Sequence, residues 1–294
     1  MIVWPEELIS DIARRKSVLY LGSGVSANSI STDGSNKHPA TWDSFLRNVL
    51  TKKSDDLAGQ KDIVTQLLDN HDYLTACEVI IDTLGEQTFG ELAANEFRRP
   101  GFQPSEIHNV IYSLDSRIVI TPNIDKIYEQ CTHINSFGTV VIKKYYEDIA
   151  PFLRQSDYLV IKAHGCVDDP QRIVFTHKQY NIARYNYASF YRLLDALLLT
   201  NTFVFVGCGL SDPDIQLTLE NANFSFPNCK PHYFITASGT ISNEVAKSLL
   251  TNRNIKVLTY NNTDGTHREL LNDLKQLVPL VEEKRQEYSL KATW

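Results

Sequence analysis

Leu19-Tyr20-Leu21-Gly22-Ser23-Gly24-Val25-Ser26-Ala27 is the stretch on which the fold turns. With Ser17 and Val18 before it, the apolar run has the length of a buried strand, and glycines follow where strand should become helix. Backbone N–H groups at such a helix start, with no Cβ in the way, form a site for phosphate. Gly22-x-Gly24-x-x-Ala27 also fits the G-x-G-x-x-G/A pattern of dinucleotide-binding turns. A strand followed by a tight glycine turn serves structural ends as well, so the rest of the chain has to weigh the reading.

Three more apolar strands end in the same way. Arg117-Ile118-Val119-Ile120 runs into Thr121-Pro122-Asn123-Ile124-Asp125, and Tyr158-Leu159-Val160-Ile161-Lys162 into Ala163-His164-Gly165. Thr202-Phe203-Val204-Phe205-Val206 runs into Gly207-Cys208-Gly209-Leu210-Ser211-Asp212-Pro213. Each time polar residues and glycine sit at the carboxyl end of a strand, where open α/β sheets gather their ligands.

Together, Gly-Ser-Gly-Val-Ser at 22–26, Thr-Pro-Asn-Ile-Asp at 121–125, His-Gly at 164–165 and Val-Gly-Cys-Gly-Leu-Ser-Asp-Pro at 206–213 resemble the ordered motifs of the sirtuin-like family. More narrowly, they resemble the sirtuin-like NADases of bacterial antiviral defence. The resemblance runs from about residue 10 to about residue 280. It implies an NAD+ hydrolase that cleaves the nicotinamide–ribose bond to nicotinamide and ADP-ribose, acting as a gated toxic effector. The same cleavage also serves ADP-ribosyltransferases and deacylases, and a non-catalytic NAD- or ADP-ribose-binding subunit is a third class.

The residues suit that chemistry. Loss of nicotinamide passes through an oxocarbenium-like transition state, as in glycoside hydrolysis. Gly22, Ser23 and Gly24 would offer N–H groups to the diphosphate, with Ser26 a hydroxyl donor. Asn123 can donate and accept at a ribose hydroxyl or a water, and the resemblance makes it the catalytic asparagine. His164 is the candidate general base, acting by resemblance through the ribose hydroxyls. Asp125 would bind the carboxamide or cap the following helix. Gly207, Ser211 and Asp212 would close around the adenosine half, and Asp212-Pro213 equally reads as a helix start. His108, His133 and His177 fit no metal spacing.

Composition bounds the rest. Hydrophobic residues at 43% and charged residues at 22% of 294 exclude a disordered chain. A net charge of −6 argues against a surface spread over nucleic acid. No apolar run reaches the length of a membrane span, and the first residues lack a signal-peptide pattern, so a cytoplasmic protein is expected. The five cysteines include no Cys-x-x-Cys pair, so the structural zinc of protein-deacetylating sirtuins is not expected.

Helical spacing at residues 6–16 leads into the first strand, and residues 29–40 read as a loop over the pocket mouth. Residues 41–115 show helical runs and no strand, with Thr41 as a cap. Short strands follow at 139–142, 232–235 and 255–258, with an aromatic helical insertion at about 176–200 and an amphipathic helix after Gly265. The expectation is an α/β chain: one doubly wound, mainly parallel Rossmann-like sheet with an inserted helical cap at about 41–115, in a single domain over 1–294. A toxic hydrolase has to be gated, so homo-oligomerisation and a separately encoded sensor are expected partners, with neither direct nucleic-acid nor membrane contact.

Overall fold

The computed structural model describes residues 1–98 and 101–291. Its nine strands among these residues are β1 (Ser17–Leu21), β2 (Ile30–Ser31), β3 (Phe102–Gln103), β4 (Ile118–Thr121), β5 (Val141–Lys144), β6 (Leu159–Lys162), β7 (Thr202–Val206), β8 (His232–Ala237) and β9 (Ile255–Tyr260). Seven of them form one sheet in the order β5-β6-β4-β1-β7-β8-β9, with every pairing parallel. Leu19 of β1 lies opposite Val119 of β4 on one side and Val204 of β7 on the other. The chain fills β4, β5 and β6 on one flank of β1 and then crosses to β7 on the other. The carboxyl ends of β1 and β7 therefore mark the switch point at which such sheets bind ligands.

The near-continuous apolar strands follow from burial on both faces. Leu19, Val119 and Val204 face a layer built by helices Glu6–Ala13, Glu106–Ser113 and Arg268–Lys291, packed through Leu8, Ile12, Ile111, Leu274 and Val281. One residue along each strand, Val18, Tyr20, Ile120, Phe203 and Phe205 face helices His177–Asn186, Ala188–Thr200 and Pro213–Ser225. The aromatic segment at 176–200 is thus the crossover from β6 to β7 rather than an appendage.

Helices Trp42–Lys52, Lys61–Asp69, Tyr73–Leu84 and Glu86–Phe97 form the cap, with a core of their own around Phe45, Leu46, Val64, Ile80 and Phe89. Thr41 starts it as expected. Its hydroxyl accepts from the Ser44 N–H (3.3 Å), and Ser44 Oγ accepts from the Thr41 N–H (2.9 Å). Ile124, Ile173 and Phe175 from the sheet's loops enter the same core and fasten the cap to the sheet.

The cap is shorter than the sequence suggests. Helix Glu106–Ser113 packs in the sheet's own layer against the C-terminal helix. Phe102–Gln103 pairs antiparallel with Ile30–Ser31, which ties the loop at 29–40 to the end of the cap. Two-residue strands are too short to leave a period-2 pattern, which is why neither was foreseen. No helix among the described residues is long and apolar enough to cross a membrane.

Candidate active site

The turn after β1 and the loop after β7 touch backbone to backbone. Gly22 donates its N–H to Val206 O (2.9 Å) and Gly24 donates to Gly207 O (2.8 Å). A Cβ on Gly22 would sit 2.5 Å from Gly207 O, and Gly207 itself has φ +64°, where an added Cβ would lie 2.7 Å from the Val25 nitrogen. Glycine is required here because two loops meet where side chains have no room. The expectation that the Gly22 and Gly24 N–H groups serve a diphosphate is corrected: both are spent on the neighbouring strand end.

Over this junction lies a cavity of about 360 Å³ between sheet and cap. Gly22, Ser23, Ser26, Asn123, Asp125, His164, Ser211 and Asp212 all line it. Of the ten predicted residues, Gly24 and Gly207 stand behind the wall. The cap contributes Trp42, Tyr73, Leu74 and Phe97, and the loop after β6 contributes Phe175. The site is thus polar along the strand ends and aromatic under the cap, the usual make-up of a pocket for a flat organic ligand.

Asn123 is held from two sides. Its Nδ2 donates to Gly22 O and to Ser26 Oγ, each at 3.0 Å, and its N–H donates to Thr121 Oγ1 (3.1 Å). Thr121 in turn donates to Leu21 O (2.7 Å), so the β4 loop is locked onto the β1 turn. With both amide protons taken, Oδ1 is the atom left to accept a hydroxyl or water proton. Ser26 is a partner of Asn123, which gives it a positioning part.

Asp125 is buried, and from one residue before the N-cap Lys126 its Oδ1 accepts from the Ile127 N–H (3.0 Å), which braces the start of helix Ile127–Asn135. Its backbone carbonyl accepts from Lys162 Nζ, and that ammonium pairs with Glu129 (2.8 Å), both side chains almost fully buried. Burial works against a charge on Lys162, but Glu129 and Asp125 outweigh it and hold its pKa above the usual lysine value.

His164, buried, has Nε2 2.8 Å from Asp212 Oδ2 and 3.0 Å from the Tyr180 hydroxyl. The Tyr20 hydroxyl donates to the same Asp212 oxygen (3.1 Å). Asp212 Oδ1 accepts the N–H groups of Asp214 (2.9 Å) and Ile215 (3.2 Å) and so starts helix Pro213–Ser225. Burial pushes the Asp212 carboxyl up, but His164, the backbone donors and Tyr20 more than offset this and hold it below the ordinary carboxylate range. Both of its oxygens are occupied within the protein, which differs from the expected place around an adenosine.

Tyr20 and Tyr180 were not foreseen as site residues. Tyr20 reads as one more apolar strand residue, and only its place two before Gly22 hints that its hydroxyl reaches the strand end. Tyr180 belongs to the aromatic segment at 176–200, where Tyr187 lies edge-on to Tyr145 and Phe190 to Tyr191, each at 5.2 Å, while Tyr185 is exposed. His177, unassigned by spacing, lines the cavity, and so does His71. Among the described residues no group of histidine, cysteine and carboxylate side chains could hold a metal.

Residues 117–258, a little under half of the chain and the part with Asn123, His164 and Asp212, are similar to the family described as a SIR2-like domain. Its relatives include "NAD(+) hydrolase ThsA" of Enterococcus faecium, 25% identical over 228 residues, covering 76% of this chain and 44% of that protein. "NAD(+) hydrolase ThsA" of Acinetobacter baumannii (strain 532279) is 23% identical over 239 residues, covering 78% and 44%. "Defense-associated sirtuin 2" of Bacillus subtilis is 25% identical over 218 residues, covering 73% and 20%. The chain spans less than half the length of these curated relatives. The SIR2-like match takes in three of the four sequence motifs, and the relatives' alignments cover most of the chain.

Proposed function

We propose that this SIR2-like chain hydrolyses NAD+ to nicotinamide and ADP-ribose. The observation that carries the reading is the meeting of Asn123 and His164 in one cavity at the switch point, roofed by the cap's aromatic side chains. The pyridinium ring would lie against the apolar wall of Ile124 and Phe175, with the ribose between Asn123 and His164. The bond from ribose C1′ to the nicotinamide nitrogen breaks with its electron pair going to nicotinamide, and positive charge spreads over C1′ and the ring oxygen. Asn123 Oδ1 accepts a hydrogen bond from the incoming water or from a ribose hydroxyl and so orients it. His164 takes up the proton released as the new C1′–O bond forms. The cap limits bulk water, so the carboxylates of Asp125 and Asp212 act in a poorly screening environment.

The relatives' names, NAD(+) hydrolase and defence-associated sirtuin, support NAD+ hydrolysis in a defence role; we propose that it acts against viruses by depletion of NAD+, with activity gated by a second copy of the chain or a separately encoded sensor. NAD+ is then the substrate. Incubation of the purified chain with NAD+ and chromatography of the products tests the reading. Equal amounts of nicotinamide and ADP-ribose are expected. Nicotinamide without free ADP-ribose, with mass added to an acceptor, would replace hydrolysis by transfer.

A further inference from the structure

Asp212 is engaged through both oxygens, and the two engagements have different consequences. Oδ1 serves the helix that follows, whereas Oδ2 faces His164 Nε2 and Tyr20. The His164 and Asp212 side chains are 11% and 12% exposed, so water competes little for this contact. An ionised carboxylate only accepts, so Nε2 at 2.8 Å has to be the protonated ring nitrogen. In neutral imidazole the lone pair then belongs to Nδ1.

We infer that Asp212 is a positioning residue that fixes His164 as the Nε2–H tautomer and leaves Nδ1 as the proton acceptor of the reaction. The inference rests on the NAD+-hydrolysis reading for its kinetic part and on geometry alone for the tautomer. Tyr20 holds the carboxylate from β1, and the Tyr180 hydroxyl stands beside Nε2 from helix His177–Asn186. The imidazole is therefore held between two faces of the switch point. Tyr180 packs edge-on to the His164 ring, with centroids 5.2 Å apart and an 81° interplanar angle, which adds a packing contact to the hydrogen bond. On the same helix Arg184 pairs with Asp214, which ties this clamp to the segment carrying Asp212. If Asp212 were only a helix cap, Oδ2 would be dispensable.

Asp212→Asn separates the two roles. The amide oxygen still accepts the Asp214 and Ile215 N–H groups, so the cap survives, while the NH₂ group turns to His164 and donates to Nε2. The proton moves to Nδ1, which can then no longer accept one. Asp212→Ser is a second variant, because serine is a good N-cap but too short to reach the imidazole.

Two readouts decide. Nitrogen NMR of ring-labelled protein, with the signal assigned through His164→Gln, is expected to show Nε2 protonated in the unmodified chain and Nδ1 protonated in Asp212→Asn. Nicotinamide release is expected to fall by about 10²–10⁴ in kcat for both variants, the span of general base catalysis, with KM changed less than about threefold. An Nδ1–H His164 in the unmodified chain, or a folded Asn or Ser variant with kcat within about twofold, overturns the inference. Should the unmodified chain release no nicotinamide, the hydrolysis reading fails and the NMR result alone decides the tautomer.

Discussion

Replacing Lys162 by methionine probes how the site is held from below. Its ammonium is almost completely buried, paired with Glu129 at 2.8 Å and bound to the Asp125 carbonyl. Removing it leaves a buried carboxylate without compensation, a change that costs about 3–5 kcal/mol. Unfolding entropy of about 2.1 cal/mol/K per residue gives roughly 0.6 kcal/mol/K for a chain of this size, so Tm should fall by about 5–8 °C. Removing Glu129 as well, as in Lys162→Met with Glu129→Leu, should restore most of that loss, because a matched apolar pair replaces a matched ionic one. Activity should not return with stability. Lys162 Nζ holds the carbonyl of the loop that carries Asn123, and the double variant still lacks that donor. Calorimetric melting of the four proteins of the cycle, with turnover beside it, is the assay. A Lys162→Met chain that melts within about 2 °C of the unmodified one, or additive losses in the double variant, would refute the reasoning.

Gly22→Ala should lower stability by about 1–3 kcal/mol through overpacking against Gly207 and Cys208. It should reduce turnover more than tenfold, since the Gly22 carbonyl anchors the Asn123 amide; thermal melts and initial rates check both. Acid should weaken the fold before ordinary carboxylates titrate. Burial pulls His108 and His232 down to about 4. Each therefore stabilises fully above its unfolded pKa and loses that contribution as pH falls from about 6.5 toward 4, about 2 kcal/mol apiece by pH 5. Urea midpoints at pH 7.5 and pH 5 test the direction, and equal midpoints would refute it.

The middle of the sheet was legible because β1, β4, β6 and β7 are buried throughout and each ends in a glycine or polar motif, which is a local signal. Asn123 and His164 were legible for the same reason. What lay hidden is long-range. That the Gly22 and Gly24 N–H groups turn to Val206 and Gly207 depends on which strand lies beside β1, and no spacing reveals it. Lys162 reads as a polar strand end, although Glu129 on the next layer draws it into the core. Asp212 looks like a cap because a cap needs only its own helix, whereas its second oxygen meets His164 from a different strand. Tyr180 was lost among aromatic neighbours such as Tyr187 and Phe190, which pack against Tyr145 and Tyr191 outside the cavity.

The central claim is that Asn123 and His164 together cleave NAD+ in this cavity, and it is tested most directly by product analysis of three proteins: the unmodified chain, Asn123→Ala and His164→Ala. Nicotinamide and ADP-ribose from the first, and none above background from either variant while NAD+ binding persists, is the predicted result. Undiminished release from both variants would contradict it.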